Sequence, residues 1–355
     1  MFKTILSFLF SASLTLSAQY TAIPDANFEN YLEQNGMGDG VPGNGMVLTE
    51  NIEDVTILEL SMKQIAELTG IQDFTSLEVL DVSFNQLVTL DVSQNKNLNT
   101  LLCQANELIT LTLDNPNLVN LIAFENFLIS IDVSNSPFLE YFDINLNLMT
   151  TLDVSNNPLL TLIWCWGNLI EELDLSQSVN LEMINCSINQ IPYLDLSNSE
   201  NLVWVSAGAI PNLAYVDMRN GNNHNVVSFG TTGTNGLQCI FVDDASAPYL
   251  EDWNKDDFTQ FVNNEQECDA LSLTETEAGE MLMYPNPVYD KFIIKDARYH
   301  VSRVRIFDIL GRLVLEKSFN QKTVELNLAT LGKGLYHVQV ETDGGTTERK
   351  KIIKQ

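Results

Sequence analysis

The residues of this 355-residue chain that are best suited to noncovalent binding are its tryptophans. Trp164 and Trp166 stand on either side of Cys165 in the stretch LIWCWGN. In a β-strand, side chains alternate between two faces, so both tryptophans would share one face and the cysteine would take the other. Exposed aromatic rings anchor partner molecules. These residues therefore suggest a binding surface, whose place depends on the element that carries them.

Residues that could catalyse a reaction are scattered along the chain. The three histidines, His224, His300 and His337, accompany no serine or cysteine in a nucleophile motif. The sequence has no GxSxG, HExxH or phosphate-binding glycine loop. Carboxylates are abundant, but their spacing marks out no pair of the kind that glycosidases use. We therefore predict a protein that is not an enzyme and that uses no cofactor or metal.

The tryptophans belong to a repeat of the form LxxLxLxxNxL. Its six regular copies begin 20 or 21 residues apart, so the period is nearly constant. The apolar first, fourth and sixth places alternate around a short strand, so each copy adds one strand to a parallel stack. The asparagine at the ninth place can bond to backbone groups where the chain turns. The six regular copies carry Asn85, Asn106, Asn126, Asn147, Asn168 and Asn189 at that place, and degenerate copies begin at Val55 and Leu202.

This pattern resembles the leucine-rich repeat family, particularly its short bacterial type. The resemblance covers roughly residues 50–240 and implies an α/β-type solenoid whose concave face is a parallel β-sheet that binds other macromolecules. We assign the first half of each copy to that sheet, although the second half, of the type LDVS, also has strand character. The second half carries a column of aspartates that we interpret as a solvated stripe, with weak cation uptake by the column as the alternative: Asp91, Asp132, Asp153, Asp174 and Asp195.

The third, fifth and seventh places of each copy then face solvent on the concave side. Read across the copies, they predict an apolar and aromatic ligand-binding surface formed by Ile122, Phe124, Tyr141, Leu162, Trp164, Trp166, Met183 and Trp204. Earlier copies place the polar residues Asp81, Ser83, Thr100 and Gln104 there. Two alternatives remain open: these rings cover one another, or the other half of each copy is the concave one.

The segments that flank the repeats, 19–54 and 237–268, predict caps. In the first, Ile23–Gly36 reads as an amphipathic helix with Phe28, Tyr31 and Leu32 on its buried face. In the second, the stretch after Cys239 predicts a helical cap with three apolar anchors, Trp253, Phe258 and Phe261.

The five cysteines divide into two groups. Cys239 and Cys268 flank the second cap, and in an exported chain we predict a disulfide between them. The other three occupy the inward sixth place of their copies and are interpreted as reduced core thiols: Cys103, Cys165 and Cys186. Adjacent strands would also allow a Cys165–Cys186 bridge.

The first 18 residues resemble a secretory signal peptide, with Lys3 before the apolar run Ile5–Leu16. That run is too short for a permanent membrane span, and no later stretch is apolar enough, so we predict no transmembrane segment. Residues 1–280 contain 5 basic and 39 acidic side chains, whereas residues 281–355 contain 13 basic and 8 acidic ones. The acidic body would repel nucleic acid, and the change in charge predicts a domain boundary after a linker at 269–282.

Residues 283–355 have alternating runs separated by glycine turns at 310–311 and 344–345, which predicts an all-β antiparallel sandwich of about seven strands. This tail resembles the C-terminal sorting domain of the type IX secretion system. The resemblance implies that the secretion machinery of the outer membrane recognises the tail; the alternative is an ordinary sandwich module that binds something extracellular. The matching residues are Pro285, Asn286, Pro287, Asp308, Ile309, Leu310, Gly311, Lys333, Gly334, Leu335, Tyr336, Lys350, Lys351 and Lys354.

These features together predict an exported protein, secreted or attached to the outer surface of the cell. We expect it to act in adhesion by binding an extracellular protein or glycan through the concave sheet. The alternative is a secreted carbohydrate-active or polysaccharide-degrading accessory protein.

Overall fold

A computed structural model of the chain describes residues 18–275, 281–296, 299–309 and 311–355. The predicted signal peptide therefore lies outside the described residues except for Ala18, and so does Leu310 of the tail motif. The chain divides into two compact units, Met1–Glu265 and Gln266–Gln355. Each unit has its own cluster of buried apolar side chains.

The main element of the first unit is a nine-stranded parallel sheet, here called the long sheet, in which the strands follow one another in chain order. As predicted, its strands come from the first half of each repeat. The strands are Ile57–Glu59, Val79–Asp81, Thr100–Leu102, Asn120–Ile122, Tyr141–Asp143, Leu162–Trp164, Met183–Asn185, Trp204–Ser206 and Ser228–Gly230. The last of them belongs to a turn that the leucine pattern did not identify, because Val226, Phe229 and Thr231 occupy its inward places.

The second halves of the repeats form shorter parallel sheets. Two of these have two strands each, Thr89–Asp91 with Thr110–Thr112 and Thr151–Leu152 with Glu172–Leu173. A third has four strands, Tyr193–Asp195, Tyr215–Asp217, Cys239–Phe241 and Gln260–Val262.

The prediction of a helical C-terminal cap was wrong for two of its segments. Cys239–Phe241 and Gln260–Val262 are strands, since pairing with the preceding turn satisfies their backbone groups. Between them lies the 3₁₀ helix Pro248–Asp252. Trp253 is a buried anchor stacked on Phe229, with ring centroids 4.3 Å apart, but Phe258 is 50% exposed and anchors nothing.

The predicted ladder of ninth-place asparagines is present, and its members are buried. In Asn147, for example, Oδ1 accepts a hydrogen bond from Leu128 N at 3.0 Å, and Nδ2 donates to the carbonyl oxygens of Ala123 and Ile144 at 3.0 and 3.1 Å. Each amide therefore bonds to backbone groups of its own turn and of the preceding one. These bonds fix the turn that follows each strand of the long sheet.

The aspartates of the second half are exposed, as predicted, and they have a structural role. Asp132 Oδ1 accepts a hydrogen bond from Ser134 N at 3.0 Å, and Asp153 Oδ1 accepts one from Ser155 N at 2.9 Å. Together with the bonds from the serine hydroxyls, these bonds lower the pKa values of both carboxyls. Each aspartate thus closes a local turn. Among the described residues, no three acidic, histidine or cysteine side chains are grouped so that they could hold a metal.

The predicted N-terminal helix, α1, spans Ala26–Gln34. Asp25 caps it, with Oδ1 accepting from the backbone N–H groups of Asn27 and Phe28. Phe28 and Leu32 are fully buried, so this helix covers the start of the solenoid core. The rest of the cap consists of the antiparallel strands Tyr20–Ala22 and Met46–Leu48 and the 3₁₀ helix Thr49–Asn51. Further 3₁₀ helices lie within the repeats, at Ile71–Asp73 and Asn223–Asn225.

A second helix, α2, spans Glu265–Glu275 and occupies the first half of the predicted linker. Its glutamate, glutamine, alanine and leucine residues favour a helix. Cys268 in this helix is disulfide-bonded to Cys239, as predicted. Closing a loop of about 30 residues contributes about 3–4 kcal/mol to the free energy of unfolding on the chain-entropy model.

The three remaining cysteines are free and fully buried, and burial raises the pKa of each thiol, that of Cys186 to about 12. We expect a thiol reagent to find no reactive cysteine in the folded protein and, after denaturation without reductant, to label Cys103, Cys165 and Cys186 alone. Mass mapping of the labelled peptides checks this pattern. A Cys165–Cys186 linkage would contradict it by leaving Cys103 as the only labelled residue of the three.

The second unit contains seven strands among its described residues, in two antiparallel sheets. One sheet has Met281–Tyr284, Lys291–Asp296 and Thr323–Asn327, and the other has Val301–Asp308, Leu313–Gln321, Gly334–Thr342 and Thr347–Lys354. The two predicted hairpins are present, with Gly311 and Gly345 in left-handed conformations. Phe292 and Val304, from different sheets, belong to one buried core, which makes this unit the predicted sandwich.

Candidate binding surface

Trp164 and Trp166 lie on the open side of the long sheet. The fourth- and sixth-place residues of the same turn, Ile163 and Cys165, are fully buried. Trp164 is 37% exposed and Trp166 is partly exposed. We call the side formed by the third, fifth and seventh places of the nine turns the sheet face.

The strand register places the aromatic and apolar side chains in neighbouring positions. Along the row of third places, Tyr141, Leu162, Met183 and Trp204 are successive partners. Neighbouring strands are about 4.8 Å apart, so these side chains can contact one another across the sheet. Tyr141 is 46% exposed, whereas Leu162, between two larger neighbours, is only 7% exposed. Leu162 therefore forms the floor of the surface and not one of its contact points.

The fifth and seventh places form two further rows on the same face. The fifth-place row runs through Ile122, Asp143 and Trp164, and the seventh-place row contains Phe124, Asn145 and Trp166. Ile122, Phe124, Met183 and Trp204 are all partly exposed. The sheet face thus brings together, besides Leu162, the seven other residues predicted for ligand binding.

Sequence reasoning missed the two polar residues at the centre of this surface. Asp143 is only 8% exposed, and Asn145 is also buried. Asp143 Oδ1 accepts a hydrogen bond from Asn145 N at 3.1 Å, and Asn145 Oδ1 accepts one from Trp166 N at 2.9 Å. Burial raises the pKa of Asp143 to about 6, because the charged form is poorly solvated there. The available signal was a polar residue between apolar residues at the same place of the two neighbouring copies: Ile122 and Trp164 for Asp143, and Phe124 and Trp166 for Asn145.

The backbone after the seventh place is left-handed in most turns, including Phe84, Glu125 and Leu146 with φ of 51–56°. In the turn that contains Trp164 and Trp166, the residue after the seventh place is Gly167, with φ of 69°. A Cβ atom there would lie 2.9 Å from Leu146 Cδ2 of the preceding turn. Glycine therefore lets Trp166 and the preceding turn pack without displacing Leu146.

In the second unit, the shared motif of the tail is tied to the last strand. Asn286 Oδ1 accepts a hydrogen bond from Ile353 N at 2.7 Å, and Asn286 Nδ2 donates to Lys351 O at 3.1 Å. Lys350 Nζ donates to Met283 O at 3.2 Å, and Lys354 is 7% exposed. Tyr336 OH donates to Gly332 O at 2.9 Å. Several of the predicted signature residues therefore hold the sandwich together.

Residues 282–355 match the family model described as a secretion system C-terminal sorting domain. This segment is a sorting domain. The protein is accordingly exported, and it is secreted or attached to the outer-membrane surface. None of the described helices is long and apolar enough to span a bilayer.

Two curated proteins are similar to parts of the chain. The ulvan lyase NLR42 of Nonlabens ulvanivorans is 27% identical over 133 residues, which are 37% of this chain and 24% of that protein. An endo-acting ulvan lyase of Formosa agariphila is 28% identical over 88 residues, 24% of this chain and 17% of that protein. The matched regions thus span a quarter or less of these relatives.

Two solved structures of Listeria monocytogenes proteins are also similar to this chain. The functional domain of InlJ has a TM-score of 0.48 and 18% identity, over 96% of this chain and all of that one. InlP has a TM-score of 0.46 and 14% identity, over 94% and 96% of the two chains.

Proposed function

We propose that this exported protein is a non-catalytic binding protein that holds an extracellular protein or glycan on its sheet face. The observation that carries this proposal is the position of Trp164, Trp166 and Trp204, three of the four tryptophans of the chain, on one open side of the long sheet. The fourth, Trp253, is buried in the core. Contiguous apolar surface on an exported protein is typical of an interaction site.

The test is a triple variant in which Trp164, Trp166 and Trp204 are changed to alanine. Each anchor ring is worth ~2 kcal/mol or more when a partner buries it, so the three changes together should abolish binding. The chain from Gln19 to Gln355 would be applied to arrays of glycans and of extracellular proteins, and hits would be compared between the native chain and the variant.

The matched control is Phe258→Ala, which removes a ring that is 50% exposed and lies outside the long sheet. Circular dichroism checks that both variants stay folded. Undiminished binding by the triple variant, or the absence of any bound ligand for the native chain, would contradict the proposal.

A second candidate function is a role in polysaccharide breakdown. Its support is the similarity of parts of the chain to two ulvan lyases, together with the buried carboxyl of Asp143 on the sheet face. Cleavage of a polysaccharide by the purified chain, abolished by Asp143→Asn, would favour this function over simple binding.

A further inference from the structure

The centre of the sheet face contains two polar groups with unused hydrogen-bonding capacity. Asp143 Oδ2 receives no hydrogen bond from the described residues, and Asn145 Nδ2 donates none to them. Both side chains are more than nine-tenths buried. Asp143 ends the strand Tyr141–Asp143 and Asn145 lies two residues further on, at the seventh place of the same turn; Ile144 between them is fully buried, so both belong to the sheet face. The surface therefore offers one free acceptor beside one free donor.

Apolar side chains frame this pair on both flanks. Ile122 and Trp164 are the register partners of Asp143, and Phe124 and Trp166 occupy the corresponding places beside Asn145. A ligand that reaches the pair must therefore cover aromatic rings with an apolar face. It must also present groups that donate to a carboxylate and accept from an amide.

The charge of the sheet face further restricts the class of ligand that it can bind. None of the third, fifth and seventh places of the nine turns carries lysine, arginine or histidine, whereas Glu59, Asp81 and Asp143 are acidic. The basic side chains of residues 18–275 are occupied elsewhere: Lys96 pairs with Asp114, Arg219 with Asp217 and Glu265, Lys63 lies over the Tyr31 ring, and Lys255 donates to Thr259 O. A sulphated or carboxylated ligand would meet repulsion with no compensating cation.

A cationic ligand is also a poor match. An ammonium or guanidinium group can only donate, so it would satisfy Asp143 but leave the amide donor of Asn145 facing another donor. A hydroxyl both donates and accepts, and neighbouring hydroxyls on a sugar ring can serve the carboxylate and the amide together. The C–H face of the same ring would cover the tryptophans.

We infer that the ligand of the sheet face is a neutral glycan, whose ring lies against Trp164 and Trp166 while its hydroxyls bond to Asp143 and Asn145. This inference rests on the proposed function and specifies the class of ligand. It assigns ligand-contacting roles to two residues that the aromatic pattern did not reveal.

The test uses the chain from Gln19 to Gln355 on an array of neutral glucans, mannans, xylans and galactans. The same array carries the sulphated derivative of each glycan and a set of lysine-rich peptides as comparison ligands. We expect at least one neutral glycan to bind, and its sulphated form to bind at least about tenfold more weakly. Titration calorimetry with the bound glycan then gives the affinities of the variants.

Two nearly isosteric variants test the polar pair. Asp143→Asn replaces the charged acceptor, and Asn145→Asp keeps the acceptor for Trp166 N but removes the donor and adds a charge. Each should weaken binding of the neutral glycan about tenfold or more, as expected for a hydrogen bond that involves a charged group or a buried donor. Asp257→Asn, at an exposed site outside the long sheet, is the matched control and should change nothing. Circular dichroism and the melting temperature check the fold of each variant.

The outcomes separate this inference from the proposed function. Preference for sulphated glycans, for lysine-rich peptides or for proteins overturns the inference, and so does the absence of binding to every neutral glycan. If the chain instead binds a sulphated glycan, a peptide or a protein, and the triple tryptophan variant loses that binding, the proposed function still holds. If a neutral glycan binds the triple variant as well as the native chain, both fail. Unchanged affinity in both Asp143→Asn and Asn145→Asp overturns the assignment of the polar pair.

Discussion

Removal of residues 283–355 should leave the remainder of the protein inside the cell envelope. These residues make up nearly all of the sorting domain, the part of the chain that we expect the outer-membrane machinery to recognise. We therefore expect a truncated chain to accumulate in the periplasm of a host that has the secretion system, with essentially none outside. Fractionation of cells followed by immunoblotting measures the distribution.

The control for this experiment is the full chain with the three tryptophans of the sheet face changed to alanine. Its sorting domain is intact, so it should reach the cell exterior in normal amounts. Normal surface display of the truncated chain would show that residues 283–355 do not direct export.

Replacing Asn147 by leucine should destabilise the solenoid more than any exposed substitution. The change keeps the volume of the side chain but leaves Leu128 N without its acceptor and two buried carbonyl oxygens, of Ala123 and Ile144, without this donor. The unsatisfied Leu128 N costs about 1–3 kcal/mol, and each lost bond to a carbonyl that keeps a second amide donor, from Asn126 or Asn168, costs about 0.5–1.5 kcal/mol. We therefore expect the free energy of unfolding to fall by about 3–5 kcal/mol. Urea unfolding followed by circular dichroism measures it.

The matched control for Asn147→Leu is Asn198→Leu, at an exposed position in the second half of a later repeat. This change should alter the free energy of unfolding by less than ~0.5 kcal/mol. If the two variants unfold at the same urea concentration, the asparagine ladder is not what holds the turns of the solenoid together.

Much of the fold was predictable because the repeat is strictly local. A period of 20–21 residues with apolar first, fourth and sixth places is enough to place each strand and to give each side chain a face. Cys165 therefore points into the core and Trp164 points out of it, as the alternation in LIWCWGN predicts. The antiparallel tail was predictable in the same way, from alternating runs and glycine turns.

The C-terminal end of the solenoid was less predictable. The turn that contains Phe229 lacks the leucines that mark the others, and its strand is identified only by its pairing with Trp204–Ser206. Cys239–Phe241 likewise pairs with the preceding turn, although its sequence gave no repeat signal. Backbone pairing with an existing sheet edge stabilises a strand whatever its side-chain pattern, so local patterning underestimated the length of the solenoid.

The sequence by itself determined the period, the inward and outward faces and the identity of the aromatic residues on the sheet face. Only the tertiary structure decided how deeply each of them lies. Leu162 and Asp143 occupy outward places, yet both are buried, because their neighbours stand on strands that are about 20 residues away in the chain. The side chains on those neighbouring strands decide how much of Asp143 is buried, and this burial raises its pKa. A local sequence pattern holds no information about these neighbours.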